Sequence, residues 1–341
     1  MDESRALAVL SVRQNCPVSP NASRRSGLGP AEANGTGGGS PVLTRRSMLL
    51  LIPAGLVTAT TASLASRLAT PVATASQAAF DEAGRIARRA FPTPTGDEGT
   101  ASRQALSRAV TAAMGGRSDV IGVSVLDRRT SAWWHYRGDA LVRTGSVAKT
   151  LVVAAALRKA RAQGGALTAR QRDQARLAIT RSDNASADAL YGWIGRHAGV
   201  AALASDLGMA DTAGAKAAGH WGHTLTSPND LVRMMTAFTS GNRATHPDDD
   251  AYLLELMSAV VDGQRWGVGT VGSGSVDVHV KNGWMLVDNP WVINSVGDVV
   301  GAGRDYELAL MQRAQPDQDS GIRRASRIGR AVFDALKEPL L

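Results

Sequence analysis

A serine and a lysine stand three residues apart at Ser146 and Lys149, at the start of a long apolar stretch. Residues i and i+3 of a helix share a face, so the hydroxyl and the amine can touch if a helix begins here. A neutral amine beside a serine can take the hydroxyl proton and make the oxygen a nucleophile. The first helical turn also favours negative charge, by about 0.3–1 kcal/mol. The pair therefore predicts acyl transfer through Ser146, although Ser-x-x-Lys alone is more often an exposed helix start.

A lysine can act as a base only when it is neutral. Lowering the pKa of Lys149 from about 10.4 to about 7 costs roughly 4–5 kcal/mol, so the amine needs burial and a second cation nearby. The chain has only five lysines, and Lys281 begins the run Lys-Asn-Gly-Trp directly after an alternating strand pattern at 276–280. The alternative there is an ordinary strand-end turn, because Asn-Gly is a favoured turn pair.

The run Ser182-Asp183-Asn184 adds a third group of polar side chains, within a helical region. All three residue types favour helix N-caps, so a cap is the alternative explanation. Taken in order, Ser-x-x-Lys, Ser-Asp-Asn and Lys-x-Gly resemble the three-motif signature of class A β-lactamases and penicillin-binding proteins. The resemblance covers about residues 80–338 and includes the neighbouring segment 221–231.

The resemblance implies a fold and a set of catalytic roles. The fold is α+β, an antiparallel sheet flanked by helices with an inserted all-helical subdomain. Ser146 would be the nucleophile and Lys149 the base that activates it. Ser182 would pass the proton to the leaving group. Lys281 would hold the substrate carboxylate and lower the pKa of Lys149.

The same resemblance implies the substrate-binding residues. Asn184 would contact the substrate amide, and Asn282 would hydrogen-bond a carboxylate. Gly283 and Trp284 complete this group. The backbone N–H groups of Ser146 and Trp284 would form the oxyanion hole, where one donor is typically worth about 3–4 kcal/mol.

Three departures from the family pattern bear on function. The third motif has asparagine where threonine is commoner, and the 36 residues from Ser146 to Ser182 are compact for the class. No glutamate occurs between Glu98 and Glu255, and the stretch 208–222 offers only Asp211 as an acid. The resemblance therefore implies that acylation survives, whereas fast deacylation of a β-lactam does not.

These features predict a serine hydrolase that forms an acyl-enzyme on a lactam, amide or ester, with weak β-lactam turnover. One alternative is a penicillin-binding module that is acylated without turnover, or a DD-peptidase-type enzyme. Another is a non-catalytic envelope protein on the same fold. We expect a small-molecule or peptidoglycan-derived substrate, no cofactor, and a monomer.

The elements that must position these residues follow the order strands, helical block, strands. Strand patterns occupy 120–127, 131–136, 276–280, 291–300 and 306–311. Two helical stretches, broken at 91–96, precede them, and an amphipathic helix at 322–336 follows. The helical insertion spans about 151–262, and its first apolar run, 151–157, predicts a helix buried on every side. This layout indicates an α+β domain over residues 76–341.

The pattern of residues 1–75 predicts a leader, which consists of a disordered segment followed by a secretion signal. Residues 1–41 are rich in Gly, Ser, Pro and Asn and predict disorder. Arg45-Arg46, an apolar run and the close at Ala75 resemble a twin-arginine secretion signal cleaved after Ala75. The alternative, a membrane-spanning helix, is disfavoured by Pro53, Gly55 and repeated Thr and Ser. We therefore expect an extracytoplasmic protein without stable membrane insertion after cleavage.

Composition excludes several other classes. The net charge is +8, but half of it lies in residues 1–75 and no basic block is interleaved with aromatics, which disfavours nucleic-acid binding. Cys16 is the single cysteine, so a Cys-based zinc site is excluded. A metal at His220 and His223 is disfavoured because no Glu or Cys lies nearby. The Gly-x-Gly-x-x-Gly match at 267–272 precedes a strand, which predicts a flexible loop and no nucleotide.

Overall fold

A five-stranded antiparallel sheet carries the motif that begins at Lys281. The computed structural model describes residues 97–212 and 220–341, and within them the strands are β1 (Ile121–Asp127), β2 (Ala132–Tyr136), β3 (Val142–Arg143), β4 (Leu225–Thr226), β5 (Val276–Leu286), β6 (Trp291–Gly301) and β7 (Arg304–Gln315). Five of them form the sheet in the order β2-β1-β7-β6-β5. The short strands β3 and β4 pair with each other.

Helices cover both faces of this sheet. They are α1 (Asp97–Met114), α2 (Ala148–Ala162), α3 (Ala169–Thr180), α4 (Asn184–Trp193), α5 (His197–Asp206), α6 (Pro228–Ser240), α7 (Pro247–Ser258) and α8 (Gln318–Ala335). Helix α8 packs on α1, β6 and β7, whereas α6 contacts β1, β6 and β7. The α+β fold with an all-helical insertion between parts of the sheet is therefore confirmed.

Helix α2 is the centre of the helical block. It contacts α3, α4, α5 and α7, and every residue from 151 to 157 is buried. The prediction of a helix buried on all sides is confirmed for 151–157, whereas the last turn of α2, 158–162, is partly exposed. An apolar helix start next to the site removes water from anything placed in its first turn, which lowers the local dielectric response.

Strand β5 extends six residues beyond the predicted strand at 276–280. It pairs with β6 over its whole length, from Val276 opposite Gly301 to Leu286 opposite Trp291. The chain reverses only at 287–290, where the N–H of Val287 donates to the carbonyl of Pro290 at 2.9 Å. The motif that begins at Lys281 thus lies inside a strand, and the alternative of a strand-end Asn-Gly turn is wrong.

The segment Gly267–Val271, predicted as a flexible loop, is a 3-10 helix with mostly buried residues. The N–H of Val268 donates to Ser295 Oγ on β6 at 2.9 Å, and that of Gly267 donates to Ser326 Oγ on α8 at 3.1 Å. These bonds fix the segment against the sheet.

A buried ionic network lies on neighbouring strands of the sheet. His279, Asp298 and Glu307 are register partners on β5, β6 and β7. His279 Nδ1 lies 2.8 Å from Asp298 Oδ1, and Arg128 lies 3.5 Å from both Asp298 and Glu307. Burial raises the pKa of Glu307 to about 7, although Thr239 donates to it at 2.6 Å.

Three predictions fall on other parts of the chain. The leader 1–75, its cleavage site and the first helical stretch near 77–90 lie outside the described residues. Across residues 97–212 and 220–341, none of the helices has the length and apolar character that a membrane span requires.

Candidate active site

Ser146 lies in a tight turn that leads into α2. Residues Gly145–Val147 form a 3-10 helix, and α2 begins at Ala148. Gly145 has φ of 52°, in the left-handed region where glycine is favoured. Ser146 is buried with 8% of its surface exposed.

Lys149, in the first turn of α2, has no exposed surface. Its Nζ donates to the carbonyl of Ser182 at 2.5 Å, to Ser182 Oγ at 3.1 Å and to Asn184 Oδ1 at 2.8 Å. The amine also lies 4.5 Å from the centre of the Trp221 ring. An ammonium in this position gains cation–π attraction as well as hydrogen bonds.

The second and third motifs meet at one hydroxyl. Lys281 Nζ donates to Ser182 Oγ at 3.1 Å and to its neighbouring carbonyl, that of Asn282, at 2.9 Å. Ser182 therefore accepts from two amines that are 132 positions apart in sequence. Ser182 directly precedes Asp183, the N-cap of α4. The φ of Ser182 is 57°, which is uncommon for a residue with a side chain. Strain of this kind persists where the surrounding structure holds it, and it is typical of functional sites.

Burial sets the charge state of both amines. It lowers the pKa of Lys149 to about 7, against the opposing effect of Asp183 and Asp188. Burial also takes the pKa of Lys281 well below its ordinary value, and the charge of Lys149 lowers it further. Burial, rather than the second cation, is therefore the main reason why Lys149 can be neutral near pH 7.

Strand β5 runs directly against the nucleophile turn. A β-carbon at Gly283 would lie 2.5 Å from the carbonyl oxygen of Thr144 and 2.9 Å from the backbone nitrogen of Ser146. One at Gly145 would lie 3.0 Å from the backbone nitrogen of Trp284. Only glycine permits this approach, which packs residues 283–284 of β5 against the turn 144–146, where the two backbone N–H groups expected to form an oxyanion hole are located.

Two expected contacts differ in the structure. Among the described residues, no hydrogen bond joins Ser146 Oγ to Lys149 Nζ, because the amine is directed to Ser182 and Asn184. The Asn282 side chain is fully buried, and its Nδ2 donates to the carbonyls of Gln264 and Trp266 at 2.7 and 2.9 Å. Both amide hydrogens are thus used, so the expected bond to a substrate carboxylate does not fit this conformation.

Two contributors to the site were missed from the sequence. Trp221 is 3% exposed and contacts Lys149, yet only its place in a segment resembling the family pointed to it. Asn294, opposite Gly283 in the sheet, donates to the carbonyls of Arg143 and Thr144 at 2.8 and 3.1 Å. The available signal in the sequence was an asparagine within an otherwise mostly apolar strand pattern.

Two of the histidines in the helical block, His220 and His223, lie next to each other. The rings of His220 and His223 are 5.9 Å apart at nearly a right angle, and His220 Nδ1 accepts from the N–H of Gly222. Nowhere in residues 97–212 and 220–341 do three His, Cys, Asp or Glu side chains come together as metal ligands.

The fold and the converging polar groups resemble those of β-lactamase-type proteins, and comparison with known proteins supports the same family. The sequence model of the Beta-lactamase enzyme family matches residues 162–336, so the chain belongs to that family. The match includes Ser182 and Lys281 and begins after Lys149. A search of the curated proteins found no match.

Solved structures of class A β-lactamases share the fold. The TLA-1 extended-spectrum β-lactamase is 17% identical with a TM-score of 0.62, over 70% of this chain and all of that one. A representative class A enzyme from Bacteroides cellulosilyticus is 18% identical with a TM-score of 0.60, over 69% and 98%. A β-lactamase from Sphaerobacter thermophilus is 20% identical with a TM-score of 0.58, over 68% and 97%. The family and the fold support a serine hydrolase of that superfamily.

Proposed function

We propose that the protein is an exported serine hydrolase that forms an acyl-enzyme on Ser146 with a lactam, an amide or an ester. One observation carries the proposal: Lys149 and Lys281 both donate to Ser182 Oγ at 3.1 Å, beside the turn that holds Ser146. Two buried amines around one hydroxyl form a proton path that a structural helix start does not need.

The reaction follows from these groups. Neutral Lys149 takes the proton of Ser146 Oγ as that oxygen attacks the substrate carbonyl. The backbone N–H groups of Ser146 and Trp284 stabilise the oxyanion, and Ser182 passes a proton to the leaving nitrogen or oxygen. Lys281 binds a substrate carboxylate, whose negative charge would favour the protonated form of this buried amine. No metal or cofactor enters this scheme.

We propose that turnover of β-lactams is slow. The stretch from Glu98 to Glu255 contains no glutamate to direct water onto the acyl-enzyme. This feature favours a second candidate, a penicillin-binding or DD-peptidase-type protein that β-lactams acylate and hold. The compact spacing of Ser146 and Ser182 fits a peptidoglycan-derived or other small-molecule substrate as well as a lactam. Secretion through the twin-arginine-type leader and a monomeric state complete the proposal.

Intact-mass spectrometry with a panel of penicillins, cephalosporins and activated esters tests it. The mass should rise by one acyl group on Ser146, and Ser146→Ala should abolish the adduct. Rapid loss of the adduct indicates a hydrolase, whereas an adduct that persists for hours indicates the penicillin-binding candidate. Absence of any adduct, together with no labelling by a fluorophosphonate, would favour a non-catalytic protein.

A further inference from the structure

Three aspartates of the helical block are candidates to replace the missing glutamate: Asp183 and Asp188, whose charges act on Lys149, and Asp211, the one acid of the stretch 208–222. The segment 213–219, outside the described residues, has no acidic residue in its sequence. The carboxylate that activates water for deacylation should be close to Lys149, open to water and not already fixed in a structural role.

Asp183 and Asp211 are held in structural roles. Asp183 caps α4, and its Oδ1 accepts from the N–H of Ser186 at 2.7 Å. Asp211 Oδ2 accepts from Ser227 Oγ at 2.8 Å, and its own N–H donates to Asp230 at 2.8 Å. These bonds fix Asp211 at the start of α6, among residues that make no hydrogen bond to Lys149.

Asp188 meets the first two conditions, and its hydrogen-bond partner Trp221 belongs to the site because it contacts Lys149. It lies one helical turn after Asn184 on α4, so both side chains share a face, and Asn184 already contacts Lys149. Asp188 Oδ1 accepts from Trp221 Nε1 at 2.7 Å, and the amine of Lys149 lies 4.5 Å from the same indole ring. The side chain of Asp188 is 56% exposed, so water reaches it.

His220 adds a second contact to this carboxylate. Its Nε2 lies 3.9 Å from Asp188 Oδ1, and its Nδ1 accepts from the N–H of Gly222. In the neutral ring, the proton therefore sits on Nε2, on the side of Asp188. The indole and the imidazole thus orient the Asp188 carboxylate, as a general base requires.

We propose that Asp188 is the general base of deacylation, a role that rests on the proposed function. The carboxylate takes a proton from a water molecule as the water oxygen bonds to the acyl carbon of the Ser146 ester. The tetrahedral intermediate then breaks its bond to Ser146 Oγ, which receives the proton from Asp188. The products are the free acid and the unmodified serine, so the step consumes one water.

The test measures the lifetime of the adduct on the full chain at pH 8. The protein is acylated with benzylpenicillin, freed of excess reagent and followed by intact mass. Asp188→Asn should prolong the adduct half-life at least tenfold, since a general base contributes about 10²–10⁴-fold. The acylation rate should change by less than about twofold, because Lys149 is already mostly neutral at this pH.

Asparagine can still accept from the Trp221 indole, so Asp188→Asn removes the base and keeps the contact. Asp211→Asn is the matched variant and should leave the half-life unchanged.

Either of two results with the variants would overturn the assignment: an unchanged half-life in Asp188→Asn, or equal slowing in Asp211→Asn. An adduct that never decays in the wild type also overturns it, while leaving Ser146 acylation intact. If the wild type forms no adduct, the proposed function fails instead, so the two failures are distinguishable.

Discussion

The charge state of Lys149 should control the rate of Ser146 acylation. Its pKa of about 7 leaves half of the amine neutral at pH 7, compared with roughly 3 in 10,000 for an ordinary lysine. Burial therefore raises the concentration of the base form roughly a thousandfold, at a cost of roughly 5 kcal/mol in the protonated state. The acylation rate should rise about tenfold per pH unit below 7 and level off above pH 8.

Asp183→Asn tests the same reasoning by removing a charge. Asp183 raises the pKa of Lys149, so its loss should move the midpoint of the rate profile below 7. Asparagine is as good an N-cap as aspartate, so α4 should keep its start. The variant should therefore be faster than the wild type at pH 6 and equal to it at pH 9.

Stopped-flow acylation by a chromogenic cephalosporin, between pH 5.5 and 9.5, measures both profiles. Far-UV circular dichroism and the melting temperature confirm that the variant is folded. A midpoint that rises in Asp183→Asn, or a wild-type profile without a rising limb, would show that neutral Lys149 is not the base.

Three further predictions concern the sheet. Gly283→Ala should slow acylation at least about 100-fold, since its β-carbon would meet the Thr144 carbonyl, whereas Gly274→Ala, in open space, should match the wild type in the same mass assay. Lys281→Met should abolish acylation yet raise the melting temperature at pH 6. The folded pKa of this fully buried amine is lowered, so the unfolded chain binds a proton more strongly than the folded protein does, which destabilises the folded state in acid. The folded pKa of Glu307 is raised to about 7, so this carboxyl should lower the free energy of unfolding by about 3 kcal/mol as the pH rises from 5 to 8. In Glu307→Gln this pH-dependent decrease should be absent, and urea titrations at the two pH values measure it.

The sequence was sufficient for the fold class and for the residues that converge, because the three motifs and the order of elements are local patterns. It placed the end of β5 too early, since Asn282 and Gly283 are poor strand formers and only pairing with β6 keeps them extended. That pairing is a property of the whole sheet. A local pattern cannot contain it.

Contacts within the site were harder to predict. The i to i+3 rule suggested a bond between Ser146 and Lys149, but Ser146 precedes α2 in a 3-10 turn and the lysine stem reaches across to Ser182. Trp221 comes to Lys149 from another part of the helical block. Such side-chain directions depend on which elements pack together, so they emerge only with the tertiary structure.

Ser146, the proposed nucleophile, lies at the start of the helical half of the domain, while Trp284 lies in the sheet half. An inhibitor that is covalently bonded to Ser146 and hydrogen-bonded by the N–H of Trp284 links the two halves of the domain. Separating the halves then requires breaking those contacts as well as the native packing. Covalent labelling of the serine therefore reports whether the two halves are packed together. A chain in which they have separated would no longer react with the probe, even though its helices remain folded.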